Sequence, residues 1–173
     1  IAPGSERRIS YFSGTSTHDR DLAIVAPVLE RLLRRHDDLV VQFVGPVSSS
    51  LQHPRIRKIE RVPFGDYLHI VRTSHLCIAP LEDTPFNQCK SALKAFEAGE
   101  MNVPTVASPV GEYSQVRVEG ILLATSPQEW EDHLEFVLHP SNYSKLSVGL
   151  RERMRSYTNV EASAEKFLEF AGW

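Results

Sequence analysis

Residues 76–108 read LCIAPLEDTPFNQCKSALKAFEAGEMNVPTVAS. Leu76-Cys77-Ile78-Ala79 is a short unbroken apolar run stopped by Pro80, the pattern of a strand buried on both faces. Beyond a loop, Cys89, Leu93 and Phe96 recur at helical spacing, with Ala92, Ala95 and Ala98 between them, which predicts a helix from Cys89 to Met101. Val103–Ser108 then reads as another buried strand. A strand, a helix and a strand in this order describe neighbours in a parallel sheet.

Working outward, the same alternation continues. Ile9–Phe12 is a β-favouring run that enters the turn-rich residues 13–17. Residues 19–35 carry a helical stripe of Leu22, Val25, Ala26, Leu29, Leu32 and Leu33, and Pro27 inside it predicts a kink or a two-part helix. Leu39–Val44 is a buried strand ended by Gly45-Pro46, and Ile56–Val62 is a weaker one. A short helix is expected at Tyr67–Thr73, a strand at Ile121–Ala124, and closing helices at 128–138, 143–157 and 162–171. Most of the 11 prolines fall at these joints. No linker or repeat interrupts the chain, so residues 1–173 read as a single doubly wound, Rossmann-like α/β domain. It would hold a parallel sheet of about six strands with helices on both faces. Ligands of such sheets sit at the carboxyl ends of the strands, here the loops after Phe12, Val44, Val62, Ala79 and Ser108.

Composition narrows the function. In 173 residues, 19 Lys and Arg stand against 22 Asp and Glu, a net charge of −3. That lacks the basic field of a nucleic-acid binder, and a chain of this length buries roughly 70% of its unfolded surface without needing a disulfide or metal. No apolar run approaches the ~20 residues of a membrane span. Two cysteines, Cys77 and Cys89, argue against a disulfide scaffold and against a cysteine-based zinc site, and a cytoplasmic location is expected. The start at Ile1, without Met, suggests a piece of a longer protein. The first loop, Gly14-Thr15-Ser16-Thr17-His18-Asp19, matches neither a dinucleotide fingerprint nor a P-loop, and no Gly-x-Ser-x-Gly elbow is present.

The chemistry concentrates between Asn87 and Glu97. Asn87 reads as the cap of the helix, with Lys90 and Ser91 in its first turn. Lys is unfavourable at that positive end unless an anion docks there. Lys90, Lys94 and Glu97 then share one helix face. Cations at the start and a carboxylate two turns on suit a nucleotide sugar, with phosphates at the Lys end and ribose at the Glu end. The alternative is a solvated face with a Lys94–Glu97 pair. Elsewhere, Arg55, Arg57, Lys58 and Arg61 read as a solvated edge, Phe64 as a core plug, Cys77 as a core residue and Cys89 as helix packing. His69 and His75 lack partners at ligand spacing, so no metal is expected.

Residues 79–108 also resemble the donor-binding, C-terminal half of GT-B glycosyltransferases, in particular the retaining glycosyl transferase group 1, GT4-like, class. The matching features are the strand, Pro80, the loop, the helix with Phe96-Glu97-Ala98, and the strand Val103-Pro104-Thr105-Val106-Ala107-Ser108. Pro109–Tyr113, Glu119–Leu123 and Ser126–Trp130 continue the likeness, which spans most of the chain. Cys89 stands where the family's first motif Glu falls, and the local pattern is Asn87, Lys90, Ser91, Lys94, Glu97. Thr15 replaces a basic residue of the first loop. The resemblance implies phosphate contacts from Gly14, Arg20, Lys90 and Ser91, ribose binding by Glu97, and sugar or base contacts from Phe64, Phe86, Asn87 and Lys94. It implies a nucleotide-diphosphate sugar donor, no cofactor or metal, and transfer with retention to an acceptor on an N-terminal domain absent from this chain. Membrane association would come only through that missing domain, and Phe170 and Trp173 would lie on the return to it. The isolated chain is then expected to be inactive. The alternatives are a non-catalytic nucleotide-binding or interaction module and a GT-B-type nucleotide-sugar epimerase.

Overall fold

The computed structural model describes residues 6–14, 19–158, 164 and 168–169. Six strands, β1 Arg7–Phe12, β2 Leu39–Val44, β3 Ile56–Ile59, β4 Leu76–Ala79, β5 Thr105–Ala107 and β6 Ile121–Leu123, form one sheet in the order β3-β2-β1-β4-β5-β6. Every pairing is parallel. The four residues of β4 and the six of β2 are buried throughout, as their unbroken apolar runs require. This is the doubly wound architecture expected from the sequence.

The helices are α1 Asp19–Ala23, α2 Ala26–Arg35, α3 Phe64–Thr73, α4 Pro85–Gln88, α5 Leu93–Glu100, α6 Pro127–Leu138, α7 Pro140–Ser147 and α8 Leu150–Tyr157. Val28, Leu29, Leu32 and Leu33 of α2 pack with Trp130 and Leu134 of α6 and with Ile9, Val41 and Phe43 of the sheet. Ala92, Ala95, Leu150 and Met154 belong to a second core built on α5 and α8. Gly99 makes that second contact: any Cβ there would overlap the Met154 side chain. On the first face, Glu131 locks α6 to α2 by meeting Arg31 and Arg35, each at 2.6 Å.

Pro27 falls in the first turn of α2, and the stripe at 19–35 forms the two-part helix expected. Other boundaries differ from expectation. β3 stops at Ile59, whose carbonyl accepts from the Gly45 N–H, because its partner β2 pairs only as far as Val44 and the chain turns at Gly45. Gly149, with φ +71°, divides 143–157 into α7 and α8. The largest correction concerns residues 85–101. Thr84, not Asn87, caps the first segment by accepting from the Asn87 N–H, and Cys89 to Ala92 separate α4 from α5. Lys90 and Ser91 therefore lie in a linker ahead of α5, and Cys89 is exposed rather than packed. Of the expected helix at 162–171, only residues 164, 168 and 169 are described, all helical; its other residues, Phe170 among them, lie outside the described residues, as do Trp173 and Thr15. Among the described residues no helix is long and apolar enough to cross a membrane.

Candidate functional site

The strand order reverses between β1 and β4, and a groove opens at their carboxyl ends. It consists of two adjoining clefts. The first, of about 240 Å³, is lined by Tyr11, Gly14, Pro80, Lys90, Ser91, Leu93, Lys94 and Tyr113, among others. The second, of about 400 Å³, is lined by Phe12, Gly14, Val44, Arg61, Phe64, Tyr67, Leu93, Lys94 and Glu97, with Ser13 and Val62. Gly14, Leu93 and Lys94 belong to both and form the divide.

A buried carboxylate sets the first cleft. Asp21, on α1, accepts from the Glu82 backbone N–H and from Asn87 Nδ2, both at 2.8 Å. Asn87 also donates to the Glu82 carbonyl at 2.9 Å. The other Asp21 oxygen is 3.6 Å from Lys90 Nζ, which also stands 5.2 Å from the centroid of the Phe86 ring. Asp21 thereby ties the helix after the first loop to the segment that carries Lys90. The start of α5 is not an open anion trap: the Ala92 N–H donates to Glu112 at 2.7 Å. Cationic side chains and the Ser91 hydroxyl, rather than a bare helix terminus, make this cleft attractive to an anion.

Lys94 lies largely buried on the divide. Its Nζ donates to the Phe12 carbonyl and faces the Tyr11 ring at 5.9 Å. Burial draws its pKa down to about 8, Lys90 adds to the effect, and Glu97 and Asp21 oppose it. Glu97, one turn on, turns instead to Tyr67, whose hydroxyl donates to Glu97 Oε2. The alternative reading, a surface pair of Lys94 with Glu97, gives way to these separate partners, because each side chain is drawn into a different wall of the groove.

Of the residues singled out from sequence, Gly14, Lys90, Ser91, Lys94, Glu97 and Phe64 meet in this groove. Phe64 is no core plug: it is 66% exposed and stacks on Tyr67 at 5.9 Å. Arg20, exposed on α1, and Phe86, 70% exposed, do not line either cleft, and Asn87 is a buried bracket. Of the basic cluster, Arg57, Lys58 and Arg61 are exposed on or just beyond the edge strand β3, as expected of a solvated edge. Even so, Arg61 donates to the Gly14 carbonyl at 2.6 Å, and the less exposed Arg55 binds carbonyls at the opposite end of the sheet. Sequence reasoning missed Tyr67, Asp21 and Glu112. An Asp two residues into a helix after a Gly-started loop is a usable signal for the second; Tyr67 looks like any aromatic on a short helix. Among the described residues no cluster of three His, Cys, Asp or Glu is placed to hold a metal ion.

No family model and no curated protein matches this sequence. Solved structures do. HepE from Anabaena, in complex with UDP and glucose, matches at a TM-score of 0.72 and 14% identity over 97% of this chain and 48% of its own. Sucrose-phosphate synthase from Thermosynechococcus elongatus matches at 0.65 and 19% identity, over 98% and 45%. A putative UDP-N-acetylglucosamine 2-epimerase from Listeria monocytogenes matches at 0.60 and 14% identity, over 94% and 47%. This chain thus spans about half the length of each of these structures. At such identities the likeness shows the fold: the six-stranded layer is that of a GT-B domain.

Proposed function

We propose that the groove binds the donor of a glycosyltransferase, a sugar carried on a nucleoside diphosphate. The observation that carries this reading is the division of labour between adjoining clefts. Lys90 and Ser91 face one, Glu97 with the exposed Phe64 ring faces the other, and Lys94 stands between. Ammonium and hydroxyl groups suit a diphosphate. A carboxylate accepts the paired hydroxyls of a ribose, and an exposed aromatic face suits a base. UDP in the HepE structure, on the same fold, supports the assignment. In transfer, the bond between the anomeric carbon and the β-phosphate oxygen would break while the acceptor oxygen bonds to that carbon and gives up its proton to the departing diphosphate. The cations would then stabilise the charge left on the diphosphate.

The acceptor would sit on a second domain, and the 173 residues alone would bind donor without turning it over. Transfer with retention and independence from a metal belong to the same proposal. An epimerase on this fold is the rival reading. It would need proton-transfer groups beside the sugar, and Tyr11, Lys90, Lys94 and Tyr113 are the titratable side chains of the first cleft among the described residues, with no carboxylate or imidazole.

Thermal shift and calorimetry with UDP, GDP and ADP test the reading. At least one nucleotide should stabilise the chain, and Lys90→Ala and Glu97→Ala should each weaken its binding by about tenfold or more. No response to any nucleotide, or binding indifferent to both substitutions, overturns it. Interconversion of a free nucleotide sugar by a longer form of the chain without acceptor would favour the epimerase.

A further inference from the structure

We infer that Tyr67 is a positioning residue that aims the Glu97 carboxylate and so makes the groove select ribonucleotides over their deoxy counterparts. The inference rests on the donor-site reading above and deepens it. A glutamate in the middle of a helix has three side-chain torsions, and its terminal one is broad, so position on α5 does not fix where its oxygens point. The Tyr67 hydroxyl, by donating to Oε2, fixes that torsion. Oε1 is then the oxygen through which Glu97 meets a ligand hydroxyl, in the cleft that both residues line.

The Tyr67 ring itself is held on two sides. Phe12, at the end of β1, meets the Tyr67 ring edge-on at 5.0 Å and 75°. Phe64 stacks on it at 5.9 Å and 20°. Phe64 and Tyr67 are three residues apart on α3, so they share a face, and α3 packs against α5. One side chain therefore joins the aromatic wall of the second cleft to its carboxylate. Burial and the adjacent Glu97 push the phenol well above its ordinary value, so it remains a donor throughout the working pH range.

Tyr67→Phe removes the hydroxyl and keeps both ring contacts. Calorimetry on the 173-residue chain would use UDP, GDP and ADP, their 2′-deoxy counterparts, and pyrophosphate. For the ribonucleotide that binds best, Tyr67→Phe should weaken binding by about three- to tenfold. The deoxy counterpart should lose less and pyrophosphate less than about twofold, so the preference for ribose shrinks. In a Glu97→Ala background, which leaves the Tyr67 hydroxyl no acceptor, Tyr67→Phe should add nothing, because the two substitutions break one linkage. Equal affinities for the wild type and Tyr67→Phe overturn the inference while leaving the donor site standing if Glu97→Ala still weakens binding. A loss shared alike by ribonucleotide, deoxynucleotide and pyrophosphate also overturns it, since that marks a merely structural role. A wild-type chain that binds pyrophosphate but shows no gain from any nucleoside overturns both readings.

Discussion

At the amino edge of the sheet, Arg7 grips Asp38 through two contacts of 2.6 Å and reaches the Leu138 carbonyl at 2.8 Å. Arg55 reaches the carbonyls of Leu33, His36 and Leu39 where α2 ends and β2 begins, and Arg57 meets Glu6. At the carboxyl edge the charged residues are arranged otherwise. Lys90, Lys94 and Glu97 each hold a protein partner, yet all three line clefts, and Phe64, Phe86 and Leu93 stand more than half exposed around them. One edge closes the ends of helices and strands with its charges; the other uses partners to aim charges into open space. The contrast shows that charge type does not mark a site. What marks it is a charged group anchored at one atom and presented to a cleft at another.

The largest effect expected from this contrast is at the closed edge. Arg55→Ala would strip a shared donor from three carbonyls, and stability should fall by about 2 kcal/mol in urea unfolding. Nucleotide affinity should stay within about twofold, since no atom of Arg55 approaches the groove. A large affinity loss with unchanged stability would break the division between the two edges.

Most of the fold was legible because it is written locally. Unbroken apolar runs at 39–44 and 76–79 place buried strands, and the spacing in 26–35 places α2. Helix starts were less legible where a distant group decides them. The hydroxyl of Thr84 starts α4, and Asp21, 66 residues from Asn87, takes the amide expected to cap the next helix. Arg55 and Arg61 read as one cluster because they are close in sequence, but β3 runs between them and delivers them to opposite edges. Lys90, Ser91, Lys94 and Glu97 could be picked out from their spacing, although the geometry that brings Lys90 to the cleft is a linker rather than a helix turn. Tyr67 could not be picked out from its surroundings in sequence, since the Glu97 it aims lies on α5 and the Phe12 ring against it on β1.

A smaller effect tests the amino edge by pH. His75, just before β4, accepts the Arg8 N–H on Nδ1 at 3.1 Å, and its ring lies 5.6 Å from that of Tyr143. Burial, and then the positive charges of Arg7 and Arg8, draw its pKa down to about 4. Between that value and its ordinary 6.5 the unfolded chain holds the proton and the folded chain does not, so stability rises with pH across this window. From this group alone, with solvent screening of a half-buried ring allowed for, stability should be about 1.5 kcal/mol lower at pH 5 than at pH 7. His75→Gln should flatten that slope and leave nucleotide binding alone; an unchanged slope would place the titration elsewhere.

The smallest effect sits at the open edge and separates it from the closed one by sign. Lys94 has a pKa lowered to about 8, first by burial and then by Lys90. Between about 8 and the ordinary value of a lysine, the unfolded chain again holds more protons, so the free protein gains stability as pH rises through that window. Binding must run the other way. A diphosphate beside the ammonium favours its charged form, so complex formation takes up a proton where the free site has lost one. Affinity should then fall by up to about tenfold from pH 7 to pH 9, with proton uptake visible as a dependence of calorimetric heat on the buffer's ionisation enthalpy. Lys94→Met should remove both slopes together. Opposite slopes from one group require it to be buried in the free chain and charged in the complex, which no residue of the closed edge achieves. Slopes that share a sign would place Lys94 with the structural cations and confine anion binding to Lys90 and Ser91.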